Sequence, residues 1–228
     1  MLKTIAHGLE NLPSGHSLAR HRHHAPYAIV ILSGSFEQAG YAGRVRVRTG
    51  DLLVQPALDA HTNAMRVGAG ATILRLAWPA HAGGVWRLPD VDAIVHAAER
   101  DLEEATLLAR EQWVRAGAVA PADDLPDQLA AALVAGAVPS LARWAAECGV
   151  ARETVARAFT RAYGVSARRF RLELKTRDAC LQLAHSRLDL AAIAAAAGFA
   201  DQAHMTRSVV RLTGVSPRAW RQRETRRV

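Results

Sequence analysis

The chain has 228 residues, half of them apolar, with 29 Lys and Arg against 21 Asp and Glu and a formal net charge of +8. That length buries a real core in one large domain or two small ones. No apolar run approaches the roughly 20 residues needed to span a bilayer, and the opening "MLKTIAHGLE" lacks the basic and apolar blocks of a secretion signal, so a cytoplasmic protein with no membrane partner is expected.

The charge is uneven. Residues 1–139 hold 12 Lys/Arg against 14 Asp/Glu, whereas residues 140–228 hold 17 against 7. A basic module joined to a near-neutral one points to nucleic acid as the partner of the basic part, and its arginines suit bidentate contact with phosphate and guanine. A solvated basic surface, or attraction to a membrane surface, would give the same total, so the spacing of apolar residues and glycines has to decide.

In chain order the first unusual stretch is "ARHRHHAP", residues 19–26, with His21, His23 and His24 inside four positions. Alternation along a strand sends His21 and His23 to one face and His24 to the other, toward solvent. From about Tyr27 to Trp78 the sequence reads as short strands separated by turns: "YAIVIL", "SGSFEQAGYAG", "RVRVR", "TGDLLVQP" and "ATILRLAW". Strands at short, regular spacing indicate a small barrel or sandwich. In "RVRVR" the valines at 45 and 47 take the core face and Arg44, Arg46 and Arg48 take the outer one.

After Pro89 the period becomes helical. Val91, Ile94, Ala98, Leu102, Ala105 and Leu108 form one stripe along an expected helix of some twenty residues, which packs on the barrel or forms a dimer seam. "AGAVAPADDLP", 116–126, has the composition of a linker. The two cysteines, Cys148 and Cys180, lack metal-ligand spacing and read as small buried residues. His7, His16, His81 and His96 have no evident partner.

The last hundred residues contain an internal repeat. "LARWAAECGV" (141–150) aligns with "LAAIAAAAGF" (190–199), and each copy runs on to "GVS", at 164–166 and 214–216. Each copy reads as a helix-turn-helix: Ala145 or Ala194 lets two helices approach, Gly149 or Gly198 takes the turn, and Val155 and Phe159, or Met205 and Val209, face inward from the second helix. Between them Ser166–Ser186 has neither Gly nor Pro. As one helix it spans about 30 Å, close to the ~34 Å repeat of B-DNA, so the two units could enter consecutive major grooves.

"GFADQAHMTRSVVRLTGVSPRAWR" (198–221), with "ARETVARAFTRAYGVS" (151–166), resembles the paired helix-turn-helix domain of AraC/XylS-type bacterial transcription regulators over about 140–221. Met205 and Val209 stand where aromatic residues are usual, and Ala151 where a capping Ser is usual. These departures should cost about a kcal/mol each in packing or capping. The resemblance implies operator DNA as partner. Helical phase leaves Arg152, Glu153 and Arg157 of the first recognition helix, and Gln202, Ala203, Thr206 and Arg207 of the second, to face a groove. The positions of Arg157 and Arg207 are of a kind that often touch DNA in the family. Arg168, Arg169 and Arg218 read as backbone charge or solubility, His204 as packing or capping, and His185 as surface.

The spacing from Gly15 through His21, His23 and Tyr27 to Gly34, followed by Gly50, Pro56 and His61, is similar to the two motifs of the cupin barrel. There, two histidines, a glutamate and a distant third histidine bind a divalent metal. Here His21, His23 and His61 hold three of the four positions, and Tyr27 stands in place of the glutamate. Three imidazoles suit Zn, Ni or Cu, with Fe as a further candidate, while sensor barrels of this regulator family often lack the metal; Tyr27 is then a candidate effector-pocket residue.

The expected fold class is α+β and multidomain: a small cupin-like β-barrel at 1–88, a helical connector and linker at 89–126, and an all-α domain with two helix-turn-helix units at 127–228. The expected function is a sequence-specific transcription regulator, a one-component sensor of a small-molecule effector or metal and not an enzyme. RNA polymerase and a second copy bound through 89–115 are candidate partners. The alternative is a metal-dependent cupin enzyme, of dioxygenase or isomerase type, with an appended DNA-binding module. The missing glutamate and the short barrel favour sensing.

Overall fold

The computed structural model describes residues 2–3, 6–79, 83–138 and 140–225; His81 lies outside them. The described strands are β1 (Leu2–Lys3), β2 (Gly8–Leu12), β3 (Ser17–His23), β4 (Tyr27–Gly40), β5 (Gly43–Arg48), β6 (Asp51–Gln55), β7 (His61–Ala64), β8 (Ala71–Ala77), β9 (Gly84–Arg87) and β10 (Gly117–Ala118). The helices are α1 (Val91–Ala98), α2 (Leu102–Arg115), α3 (Leu125–Val134), α4 (Leu141–Glu147), α5 (Arg152–Tyr163), α6 (Ala167–His185), α7 (Leu190–Ala196), α8 (Gln202–Thr213) and α9 (Pro217–Thr225). Two compact units result, Lys3–Ser166 and Ala167–Val228 with Met1–Leu2.

In the first unit β4 is the organising element. "YAIVIL" and "SGSFEQAG" are not two strands but one of 14 residues. Its first half pairs with β6 and β8, its second half with β5 and β7, and the register shifts between Ile31 and Ser33. This irregularity lets one strand serve two sheets, ordered β2-β8-β4-β6-β9-β10 and β3-β7-β4-β5. Among the described residues these ladders form an open path rather than a closed ring.

Both faces of the first sheet are buried, which explains the continuous apolar runs. Tyr27, Ile29, Ile31, Leu53, Ile73 and Val85 point between the sheets with Phe36 and Val47 from the second. Ala28, Val30, Leu52, Val54, Leu74 and Leu76 point outward, under Ile94 and Ala97 of α1 and Ala105 and Ala109 of α2. A strand covered on both faces loses its polar alternation.

Gly34, next to the register shift, has φ +77, and a Cβ there would stand 1.9 Å from the Gly70 carbonyl oxygen. Gly34→Ala is therefore expected to cost at least about 2 kcal/mol, from backbone strain plus the clash. A urea-unfolding midpoint indistinguishable from the parent's would contradict this.

Three details differ from the sequence expectation. The stripe after Pro89 is carried by two helices, because the chain leaves α1 at Glu99 and Asp101 caps a new helix, accepting from the Glu103 N–H at 2.9 Å. The stripe lies on the sheet: Ile94 and Ala105 are fully buried, with Val91, Ala98 and Leu108 packed against the same cluster. The 116–126 segment adds β10 to the edge of β9 and is held by bonds from Val119 N to Val85 O and from Ala122 N to Arg44 O. Finally, Cys180 is buried but Cys148 is exposed, since it ends α4 at the turn.

The second unit is helical, its core built from Phe170, Cys180, Leu183, Ile193, Met205, Val209 and Trp220. The Trp220 indole N–H donates to the Cys180 carbonyl at 3.1 Å, tying α9 to α6. At 19 residues, α6 spans about 28 Å. No described helix is long and apolar enough to cross a membrane.

Candidate nucleic-acid interface and histidine cluster

The two halves of the repeat are built alike, each within its own unit. Ser140 caps α4, accepting from Arg143 N at 3.2 Å, and Asp189 caps α7, accepting from Ala192 N at 2.7 Å. Gly149 (φ +67) and Gly198 (φ +72) then take the left-handed turn into α5 and α8. The second helices bury Val155, Phe159 and Tyr163 in one case and Met205, Val209 and Leu212 in the other. Met205 and Val209 are fully buried, so the core closes around them without the aromatic side chains usual there.

The opposite faces carry the groove-facing candidates. Arg152, Glu153 and Arg157 on α5 are exposed, as are Gln202, Ala203 and Arg207 on α8, while Thr206 is half-buried. The helix starts differ. Asp201 caps α8, accepting from the His204 N–H at 2.6 Å, whereas Ala151 gives α5 no side-chain cap. At that uncapped start Glu153 accepts from its own backbone N–H and from Arg152, which together hold its carboxyl below the usual range. The His204 ring stands edge-on to Phe199, centroids 5.2 Å apart, in the packing role expected for it. His185 is exposed.

The histidines converge between the two sheets. His21 and His61 are cross-strand partners on β3 and β7, and alternation brings His23 to the same face. One ring nitrogen from each of His21, His23 and His61 lies within 4.8 Å of the other two. His23 and His61 are buried and His21 is partly so. Burial, then the neighbouring His21 and His23, holds His61 well below the ordinary histidine range, so it is neutral at physiological pH.

Backbone carbonyls fix two tautomers. His61 Nδ1–H donates to the Asp59 carbonyl at 3.2 Å and His21 Nδ1–H to the Ala19 carbonyl at 2.9 Å, because a carbonyl can only accept. His61, neutral and with its proton on Nδ1, keeps a lone pair on Nε2, the arrangement a metal-binding imidazole requires. Tyr27 completes the group. It is 1% exposed, its hydroxyl lies 3.4 Å from His61 Nε2, and burial pushes its phenol far above the usual value. It is a neutral phenol, not the anionic oxygen a glutamate would give. Three convergent imidazoles fit a divalent ion such as Zn. His24 lies beyond the end of β3 and outside the cluster.

A family model described as a helix-turn-helix domain matches residues 144–223. The match is to a domain of AraC type, confined to these residues. No curated protein matches the chain. The chain is similar to the solved structure of ToxT from Vibrio cholerae O395, at 9% identity and a TM-score of 0.43, covering 96% of this chain and 98% of that one. It is also similar to an AraC-type regulator from Chromobacterium violaceum (22% identity, TM-score 0.41, 44% of this chain and 91% of that one). A third similar structure is the DNA-binding domain of AdpA in complex with a target DNA (20% identity, TM-score 0.43, 46% and 96%). The family match and the paired repeat together give the chain a helix-turn-helix domain over these residues.

The first half of the AraC-type domain is wired into the sheet unit. Arg44, on the outer face of β5, donates to Asp127 Oδ2 at 2.8 Å and also to Asp124, and the pair of carboxylates raises the already high basicity of its guanidinium. Tyr163, the last residue of α5, donates its hydroxyl to Asp127 Oδ1 at 2.7 Å. Arg20, next to His21, donates to the Tyr163 carbonyl at 3.4 Å. Gly164, whose φ is +71, faces Thr62, next to His61, where a Cβ would come within 3.1 Å of its methyl.

Sequence reasoning missed these links, since nothing in "RVRVR" separates Arg44 from its exposed neighbours Arg46 and Arg48. Asp127 is 5% exposed, so Tyr163→Phe removes a donor to a buried carboxylate and is expected to cost about 1–3 kcal/mol of stability. Thermal unfolding checks this, and an unchanged melting temperature would contradict it.

Proposed function

We propose that the chain is a cytoplasmic one-component transcription regulator whose sheet unit senses a small molecule or divalent metal and whose two helix-turn-helix units bind consecutive major grooves of operator DNA. The observation that carries this reading is the AraC-type match over a repeat that presents two exposed, arginine-bearing helix faces. Arg152, Glu153 and Arg157 read one groove, and Gln202, Ala203, Thr206 and Arg207 the next. Arginine pairs with guanine, glutamine with adenine, and glutamate accepts from cytosine. Functionally the chain divides at about 88 and 126, sensor before connector before DNA-binding region.

His21, His23 and His61 would hold the metal, and Tyr27 would border whatever docks beside it. A bound ion would supply a charged anchor for an effector. Because Arg20 and Thr62 flank the cluster and meet the end of α5, a shift of β3 or β7 reaches the first recognition helix directly. An effector changes operator affinity only through its different affinity for the two states, and these strands supply an element that can differ between them. RNA polymerase and a second copy through 89–115 complete the proposed partners; with the stripe against the sheet, that contact would fall to Leu107 and Val114, both exposed. The cluster serves binding rather than catalysis in this reading, the carboxylate of a metal-dependent enzyme being replaced by a neutral phenol.

The test is sequence selection from a randomised duplex library by the full chain. The selected duplex is expected to bind at least about 10³-fold more tightly than random duplex at the same salt concentration. Equal affinities would contradict a sequence-specific regulator.

A further inference from the structure

A cavity opens in the sheet unit, lined in part by residues of the same inter-sheet core as Tyr27. It has a volume of about 270 Å³, and Gln38, Val45, Leu53, Val85 and Trp86 line it beneath a roof of Val119 and Pro121. Among the described residues its lining carries no charged side chain. The roof belongs to the 116–126 segment and sits close: a Cβ on Gly43 would meet Pro121 at 2.7 Å. One polar group is left over. Gln38, 5% exposed, donates its amide N–H to Gln55 Oε1 at 2.8 Å, while its own Oε1 is buried without a hydrogen-bond partner. Buried acceptors in native proteins are normally satisfied, and an orphan beside a cavity calls for a missing donor.

We propose that this cavity is a ligand site for a compact, uncharged molecule with an apolar body and one hydrogen-bond donor, the donor reaching Gln38 Oε1. Apolar walls select the body, and with no charged side chain among the described lining residues the desolvation of an ionic ligand would go uncompensated. The roof runs straight on to Asp124 and Asp127, which hold Arg44 and Tyr163. Occupancy thus acts on the segment leading to the first helix-turn-helix. In this regulatory part the inference rests on the sensor reading above.

Indole is the probe, and benzothiophene, the same shape without the N–H, is its control. Saturation-transfer NMR and calorimetry on the full chain are expected to show indole binding at least tenfold more tightly than benzothiophene. Val45→Phe and Val119→Phe, which fill the cavity from a wall and from the roof, should each weaken indole at least tenfold while circular dichroism stays unchanged. Gln38→Leu should erase the preference for indole. No indole binding, or binding indifferent to both filling variants, would overturn the site. Operator affinity with and without saturating indole is read separately: no change there, with the site otherwise intact, would remove the sensor reading and leave the pocket standing.

Discussion

Arg207→Ala is expected to lower affinity for the selected operator by about 1–3 kcal/mol, or roughly 5- to 150-fold. Arg207 is exposed on α8, two residues from buried Met205 and Val209, so helical phase turns it away from the core and its removal leaves the fold intact. An arginine that grips guanine O6 and N7 together carries specificity as well as affinity. The loss should therefore fall on the operator, random duplex being affected much less, and base preference should relax at one position of the site. Arg207→Lys should recover nonspecific binding but not discrimination, because a lysine is a point charge without the fork. Equal losses on operator and random DNA would reduce Arg207 to a phosphate contact. Arg157→Ala on α5 should behave alike at the other end of the site, and if the two positions read different grooves, as proposed, the two losses should add.

Metal content gives the other large effect. Untagged full-length protein purified without chelator is expected to carry Zn, Ni, Cu or Fe at close to one ion per chain. His21→Ala and His61→Ala should each lose it. The reason is the number of ligands: three imidazoles leave one open position on a tetrahedral ion, whereas two leave half its coordination to water. His61 is the more severe loss, being fully buried, neutral and oriented by the Asp59 carbonyl. His24→Ala, outside the cluster, should keep the ion. No metal above background after incubation with Zn²⁺, Ni²⁺ and Fe²⁺ would make the histidines pocket residues and shift sensing to organic ligands alone.

The paired helix-turn-helix was legible because its signals are local. Alanine, glycine and inward apolar residues fall at fixed steps along a helix, and the second copy repeats them about fifty residues later. The histidine cluster was legible for a different reason, since alternation put His21 and His23 on one face and the motif spacing brought in His61. What escaped depends on distant pairing. β4 reads as two strands because Ser33 and Gly34 look like a turn, whereas the chain passes through them with only a register shift. Read as one strand, Phe36 and Gln38 share the inner face, and Gln38 would have stood out as a polar residue in a core position. The two-helix connector escaped because the apolar stripe keeps its phase across Glu99–Asp101. Arg44 could not be told from Arg46 and Arg48 until α3 brought Asp124 and Asp127 to it.

Two recognition helices reading successive turns on one side of the duplex must be in phase with it. The selected operator should therefore hold two short blocks about 10–10.5 base pairs apart. Inserting five base pairs between them turns one block to the opposite side of the DNA. The full chain is expected to bind this duplex no better than one keeping a single block, at least tenfold more weakly than the parent. Undiminished affinity across the half-turn insertion would contradict the reading of two cooperating units on consecutive grooves.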